Sequence, residues 1–500
     1  MAGAPACLTL PPPARFILLS SATRNAGGWV AEGLKVSVLV PVFNERFLAA
    51  ASIRRVLAVR DPSIREIEVI VVDDGSTDGT REVLRGLARE QPAIRYIEHE
   101  RNLGKGAALR TALAHATGDV CVPHDADLEY HPGDLPRLVQ PFLHEQADAV
   151  FGSRFLTGDY RRVLLFYHSL GNRLLTTLVN MATNLNLSDM ETCYKMVRTQ
   201  LLRSLPLRYN DFRIEPELTI KLAKRGAAIF ETPIRYAGRT YLEGKKIGWR
   251  DGARALTAIV RGMLIDDLYL NDPYGAHILH NLARARNFSR WMSDVIRPWV
   301  GRSVLEIGAG IGNLTVHLVP RDRYLATDIN QDYLDYLANF AFGKPYLEVG
   351  ALPAEQAKPF EPLTGRFDTV VCLNVLEHLD EPVPTLRNFH TALASGGRAI
   401  VLVPQGPSRF NSLDRALGHR LRYTRERLRA VAEEAGFEVE ALLDFNRAAV
   451  VGWRLSGLTR RTNFSRVQLK LYDSMVWLVK RVDRFLPWRG LSLIAICRKP

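Results

Sequence analysis

The sequence predicts an α/β protein of two successive sheets, each mainly parallel with helices on its faces. Three observations carry this expectation. Apolar runs of strand length at 36–40, 67–72, 94–97 and 118–122 alternate with amphipathic stretches of helical length, the rhythm of strand–helix–strand units. Each run is followed by polar or glycine-rich residues, and in such sheets ligands bind at the carboxyl ends of the strands. After Asp266-Asp267 the pattern restarts, with a strand at 303–307 entering the glycine turn Gly308-Ala309-Gly310-Ile311-Gly312.

Taken in order, residues 1–34 are rich in Ala, Gly, Pro and Ser without periodicity, the composition of a poorly ordered extension. The run 36–40 ends in Pro41-Val42-Phe43-Asn44-Glu45, and a helix is expected through Arg60. The next run closes in Asp73-Asp74-Gly75-Ser76-Thr77-Asp78, before a helix to about Glu90. Asp73 and Asp74 can accept hydrogen bonds from a base or ribose, and Ser76, Thr77 and Asp78 can cap the helix. Gly104-Lys105-Gly106 opens another helix, with Lys105 able to approach a diphosphate or simply to sit in a flexible turn.

The run 118–122 leads into Pro123-His124-Asp125-Ala126-Asp127-Leu128-Glu129-Tyr130. Residues two apart on a strand share a face, so Asp125 and Asp127 are expected to present paired carboxylates. Mg2+ or Mn2+ takes one or two such groups and leaves other positions for phosphate oxygens. Asp-x-Asp alone is also a common surface turn; its neighbours give it weight.

Composition narrows the function classes. The 500 residues are 47% hydrophobic and 24% charged, with net charge +13 and a pI near 9.6, a balance that favours anionic partners. No compact basic run or aromatic-interleaved basic stripe is present, which argues against nucleic acid. The five cysteines are widely spaced and read as reduced thiols. No run approaches the ~18 apolar residues of a membrane span, and Pro11-Pro12-Pro13 interrupts any signal-like core. The expected location is cytoplasmic, with any membrane contact peripheral, at the inner face.

Val40-Pro41-Val42-Phe43-Asn44-Glu45, Val72-Asp73-Asp74-Gly75-Ser76, Asn102-Leu103-Gly104-Lys105-Gly106 and Asp125-Ala126-Asp127 follow the motif order of glycosyltransferase family 2. The chain resembles its dolichyl-phosphate mannose synthase and polyprenyl-phosphate glycosyltransferase branch over roughly residues 35–265. The resemblance implies a GT-A fold and inverting transfer from a nucleotide-diphospho-sugar to a polyprenyl phosphate. It implies that Pro41, Glu45 and Asp74 contact the nucleoside and that Asp125 and Asp127 hold the metal. Lys105 and Arg154 would meet phosphate, with residues 189–195 near the acceptor. Arg239, Lys245 and Lys246 would belong to a segment closing over the diphosphate, where cations stabilise charge growing on the leaving group. A lipid phosphate is already ionised; a hydroxyl acceptor would want a carboxylate base, with Glu215 or Glu217 as candidates.

Residues 266–298 read as a linker and leading helix, and 299–500 as a second domain. Its glycine turn lets backbone approach a nucleoside, Asp328 ends the next strand, and Asn374-Val375-Leu376-Glu377-His378 follows a third. This half resembles class I S-adenosylmethionine-dependent methyltransferases, a Rossmann-like fold. The resemblance implies that Glu306, Gly308, Gly310 and Gly312 line the methionine end, that Asp328 binds the ribose, and that Asn374 lies under the sulfonium. A nicotinamide-binding domain is the competing reading.

The stretch Glu348-Val349-Gly350-Ala351-Leu352 lacks the aspartate that relatives often place near the adenine, with Glu355 as a substitute. A helical insertion at about 447–490 carries Leu471, Met475, Leu478, Val482 and Phe485 at helical spacing among basic residues. That face is expected to pack over the acceptor pocket, the alternative being an anionic membrane surface. His378, His419, Arg420 and Arg422 are acceptor-side candidates or solvated charge. The function expected is therefore a bifunctional enzyme: metal-dependent glycosyl transfer plus O-methylation of an acceptor, with a glycan as the candidate. The alternative is a glycosyltransferase carrying a non-catalytic binding or scaffolding module.

Overall fold

The apolar runs assemble into two separate sheets, one of seven strands and one of eight. The computed structural model describes residues 18–19, 33–156, 162–163, 166–239, 249–265, 267–268, 285–341, 343–458 and 466–500. The chain divides into two compact units, Gly27–His277, and Ile278–Pro500 together with Met1–Ala26. A two-residue strand β1 (Leu18–Leu19) belongs to the second of these.

In the first unit β2 (Leu34–Val42), β3 (Ile64–Asp73), β4 (Ile94–Glu98) and β5 (Val120–Pro123) pair in parallel, as the alternation predicts. With β6 (Ala149–Ser153), β7 (Lys195–Arg198) and β8 (Ile229–Pro233) the order is β4-β3-β2-β5-β7-β6-β8. The sheet is mixed, because β7 runs antiparallel to both β5 and β6. The apolar runs are continuous because both faces are covered. Val38, Val40, Val69 and Val71 face Ile53, Leu84 and Leu138, whereas Leu39, Ile70 and Val72 face Leu109, Ala112 and Leu218.

Two helices of this unit carry apolar side chains outward. Phe166–Thr183 exposes Phe166, Tyr167, Leu170 and Leu174, and Trp249–Leu264 exposes Leu256, Val260 and Met263. The two pack together beneath that surface through a small core including Val179 and Ile259.

In the second unit β9 (Ser303–Ile307), β10 (Arg323–Asp328), β11 (Leu347–Ala351), β12 (Phe367–Leu373), β13 (Leu393–Pro404), β14 (Glu438–Phe445) and β15 (Ser492–Arg498) give the order β1-β11-β10-β9-β12-β13-β15-β14. Strands β9 to β13 are parallel, and β14 and β15 form an antiparallel end.

The insertion between β14 and β15 is helical, with Ala449–Leu458 and Arg466–Val482. Its packing differs from expectation. Asp473 receives Asn287 Nδ2 and the Phe288 backbone N–H from helix Arg286–Ile296, and Val476 joins a core with Trp291 and Phe445. The stripe singled out in the sequence is therefore turned to the outside: Leu471 is 61% and Phe485 72% exposed, with Met475, Leu478 and Val482 also exposed. Helical spacing identifies a stripe but not its direction, and here Tyr472, Val476 and Val479 form the inward face.

Candidate active sites

In the first unit the polar clusters meet beyond the carboxyl ends of β2 and β5. Strand β5 stops at Pro123, and Asp125 and Asp127 lie in the following turn, where Leu128 takes φ 64°. This turn, rather than strand alternation, brings the two carboxylates together. Lys105 Nζ lies 2.9 Å from Asp125 Oδ1 and 3.2 Å from Glu215 Oε1. Buried Lys195 holds the other oxygen of Glu215 at 2.5 Å. On the opposite flank Arg239 Nη2 is 2.9 Å from Asp127 Oδ2 and 3.6 Å from Glu45 Oε1, and its Nε is 3.3 Å from Glu129 Oε1. Tyr236 donates to the second oxygen of Glu129.

Five carboxylates (Glu45, Asp125, Asp127, Glu129, Glu215) thus face three cations (Lys105, Lys195, Arg239). Asp125 is partly buried; desolvation would raise its pKa, yet Lys105 beside it holds the carboxyl below its ordinary value. Burial, then the Asp125 and Glu129 charges, push Asp127 up to about 7. A divalent cation fits this set: the donors are hard oxygens, and the surplus negative charge that raises Asp127 is what such an ion would relieve.

Other predicted residues are engaged within the protein. Asp74 accepts from the backbone N–H groups of Leu103 and Gly104 at 2.9 and 2.7 Å, and lies 2.7 Å from His99 Nδ1. It fixes the start of the Lys105 helix. Gly104 and Gly106 press on the backbone of Asn210 and Tyr209, where a Cβ would collide, so the glycines serve this close packing. Arg154 forms a two-pronged pair with buried Asp189 at 2.6 and 2.7 Å. Pro41 sits on β2 opposite Val72. Glu217 accepts from Lys221 and from the backbone of Arg208 and Tyr209. Lys245 and Lys246 lie outside the described residues. Glu129 and Lys195, within motifs quoted above, were not singled out; the spacing Asp-x-Asp-x-Glu is the signal for the first, and Lys195 carries none beyond its loop.

In the second unit the glycine turn joins β9 to the helical residues that follow. Gly308, Gly310 and Gly312 take φ of 70°, 57° and 82°, and side chains at 308 and 312 would strike Val375 and Leu337. Asp328, at the end of β10, accepts from Gly310 N at 2.8 Å and from Ile329 and Asn330 N at 2.8 and 2.9 Å. Asn374, at φ 56°, donates its backbone N–H to the Leu402 carbonyl. Backbone-lined turn, strand-end acid and left-handed asparagine stand together at the carboxyl ends of adjacent strands, where ligands bind in open α/β sheets. Glu348 pairs with Arg323 within the sheet, and Glu355 stands exposed in the loop after β11.

Glu306 is buried and its Oε2 accepts from Thr315 at 2.6 Å and Tyr324 at 2.9 Å. Burial pushes it up from 4.5 to about 7. A carboxyl raised by folding supports the native state at low pH and withdraws that support as pH climbs towards its folded pKa. The loss amounts to about 3 kcal/mol, at roughly 1.4 kcal/mol per unit. Glu306→Gln keeps the acceptor and removes the titration. Thermal melts at pH 5 and 8 are expected to show the variant gaining on the wild type at the higher pH; a constant difference would show that Glu306 does not titrate there.

In the same unit, His419 and Arg422 converge on Asp414, at 2.9 Å from Nδ1 and 2.9 Å from Nε. Arg422 is buried rather than solvated. Asp414 was not foreseen; the signal was the capping box Asn411-x-x-Asp414.

Residues 37–205 match the model of glycosyl transferase family 2, and residues 279–442 match that of a methyltransferase domain. The chain thus joins a family 2 glycosyltransferase domain to a methyltransferase domain. It is 29% identical over 214 residues to undecaprenyl-phosphate 4-deoxy-4-formamido-L-arabinose transferase of Edwardsiella ictaluri, covering 42% of this chain and 62% of that protein. It is 30% identical over 186 residues to dodecaprenyl-phosphate galacturonate synthase of Rhizobium johnstonii, covering 37% of this chain and 54% of that protein. The chain therefore spans less than two thirds of these relatives. Glucosyl-3-phosphoglycerate synthase from Mycobacterium tuberculosis, solved with Mn2+, uridine-diphosphate and glucosyl-3-phosphoglycerate, is 23% identical with a TM-score of 0.37, covering 47% of this chain and 82% of that one.

Proposed function

We propose that the first unit transfers a sugar, with inversion and with a divalent metal, from a nucleotide-diphospho-sugar to a polyprenyl phosphate. The second unit O-methylates an acceptor using S-adenosylmethionine. The observation that carries the first half is the pairing of Asp125 with Lys105 and of Asp127 with Arg239 beyond the parallel strands. Mg2+ or Mn2+ held by Asp125 and Asp127 would neutralise charge on the departing diphosphate. Lys105 and Arg239 stand beside those carboxylates, placed to meet the growing negative charge. Glu45 and Glu129 orient Arg239, and Pro41 and Asp74 shape the nucleoside side.

A lipid-phosphate acceptor suits this chemistry because Glu215 and Glu217 are both engaged by lysines. The relatives named for undecaprenyl- and dodecaprenyl-phosphate support the same acceptor class. One observation favours a hydroxyl acceptor instead: Glu191, pushed up to about 7 by burial, keeps Oε1 without a hydrogen-bond partner, the condition of a general base near neutrality. The deciding experiment offers labelled nucleotide sugars with undecaprenyl phosphate in vesicles and, separately, with water-soluble alcohols. Label extracted with the lipid, and retained at least in part by Glu191→Gln, supports the proposal. Transfer to alcohols alone, lost in Glu191→Gln, would replace it with the second reading.

No described helix is long and apolar enough to cross a membrane. The outward faces at 166–174 and 471–485 fit peripheral attachment, with Lys470, Lys480, Arg481 and Arg484 flanking the latter. Sedimentation with phosphatidylglycerol vesicles is expected to carry the protein down, and the pair Leu471→Asp and Leu478→Asp to weaken this severalfold. Equal recovery of variant and wild type would remove the 471–485 face from membrane contact.

A further inference from the structure

Beyond β12, three and four residues past Asn374, Glu377 and His378 meet His419. One ligand-type atom from each lies within 4.8 Å of the other two. Glu377 is completely buried, yet neither of its carboxylate oxygens has a hydrogen-bond partner. Burying a carboxylate in that condition is costly, and native proteins satisfy such groups. The nearest cationic candidate, His419 Nε2, stands 3.7 Å from Oε1, too far for a hydrogen bond.

Both imidazoles are fixed in the same sense. His378 Nδ1 lies 3.1 Å from the Gly418 carbonyl, which can only accept, so Nδ1 carries the proton and Nε2 the lone pair. His419 Nδ1 lies 2.9 Å from the Asp414 carboxylate, which accepts from it. Asp414 is itself locked by Arg422 at 2.9 and 3.0 Å and by the Asn411 backbone. In the neutral ring this leaves the His419 Nε2 lone pair facing Glu377. A carboxylate or carbonyl behind each histidine is the support that metal-bound imidazoles use.

We propose that Glu377, His378 and His419 bind a first-row divalent transition ion of the zinc–iron class. Two imidazoles and one carboxylate suit these ions better than Mg2+ or Ca2+. Bonds of about 2.0–2.2 Å place ligands on one ion about 3–4 Å apart, in keeping with the 3.7 Å between His419 and Glu377. Glu377 is buried while the two histidines are partly exposed, so the ion's remaining positions face outward. They lie at the same strand ends as the glycine turn and Asn374. The ion's use, which rests on the methyltransferase reading, is to hold the acceptor hydroxyl or an adjacent oxygen against the methyl donor. The site itself does not depend on that reading.

The test uses the full-length, tag-free chain. It is stripped with chelator, loaded with Zn2+ in millimolar Mg2+ to occupy the Asp125 and Asp127 carboxylates, passed through gel filtration and assayed for bound zinc. One equivalent is expected in the wild type and in Asp127→Asn, falling at least about tenfold in affinity in Glu377→Gln and in His419→Ala. Melting curves confirm that the variants fold, and Glu377→Gln preserves shape if His419→Ala does not. Absence of zinc from the wild type, or its undiminished retention in both variants, overturns the proposal. Titration of the same samples with S-adenosylmethionine separates the two readings. Cofactor binding without zinc leaves the methyltransferase standing and removes the ion; zinc without cofactor does the reverse.

Discussion

Asp127→Ala is expected to reduce sugar transfer by at least about a hundredfold while the same preparation binds S-adenosylmethionine as the wild type does. Asp127 has two functions that alanine cannot replace. It is one of two carboxylates proposed to hold the metal, whose stabilisation of leaving-group charge is worth several kcal/mol, and each 1.4 kcal/mol is about tenfold in rate. It is also the 2.9 Å partner of Arg239, which would be left to Glu45 and Glu129. The raised pKa of Asp127 adds a pH signature. Metal binding competes with a proton, so the wild type should need less Mn2+ at pH 8 than at pH 6. Removal of metal by chelator should stop transfer reversibly. A variant that transfers at the wild-type rate would take the metal role away from this residue.

Gly310→Arg is expected to abolish S-adenosylmethionine binding in a calorimetric titration at millimolar cofactor. Gly310 has φ 57° and donates its backbone N–H to Asp328 at 2.8 Å. A side chain there is strained in its backbone and stands where the turn meets Asp328, the acid to which the methyltransferase resemblance gives the ribose. The substitution should leave glycosyl transfer unaffected, because it lies in the other compact unit. Binding by the wild type alone establishes the second cofactor site. No binding by the wild type would return the second unit to a companion module.

The fold was readable because its signals are local. Runs such as 36–40 and 67–72 owe their continuous apolarity to burial on both faces, and the glycines at 308, 310 and 312 to positive φ. Features set by distant partners were not readable. The antiparallel β7 depends on pairing with β5 and β6, and the outward turn of Leu471 on contacts between Asp473 and residues 287–288. At the candidate sites, the motifs pointed to Asp125, Asp127 and Asp328, and the neighbours of these residues come from elsewhere in the chain. Lys195 reaches Glu215 across twenty positions and His419 reaches Glu377 across forty-two. Asp74 and Arg154 are where the motifs place them, yet their charges are answered within the protein by Gly104, His99 and Asp189.

The outward stripe of helix Arg466–Val482 also governs how the purified protein will behave. Leu471, Met475, Leu478 and Val482, with Trp477 and Phe485 alongside, present a contiguous oily ridge. In lipid-free buffer the readiest cover for such a ridge is another copy of itself. Apparent mass on a sizing column should then rise with loading and collapse to a single small species in mild detergent. A dimer seen without detergent would measure stickiness, and the working stoichiometry is to be read with lipid present.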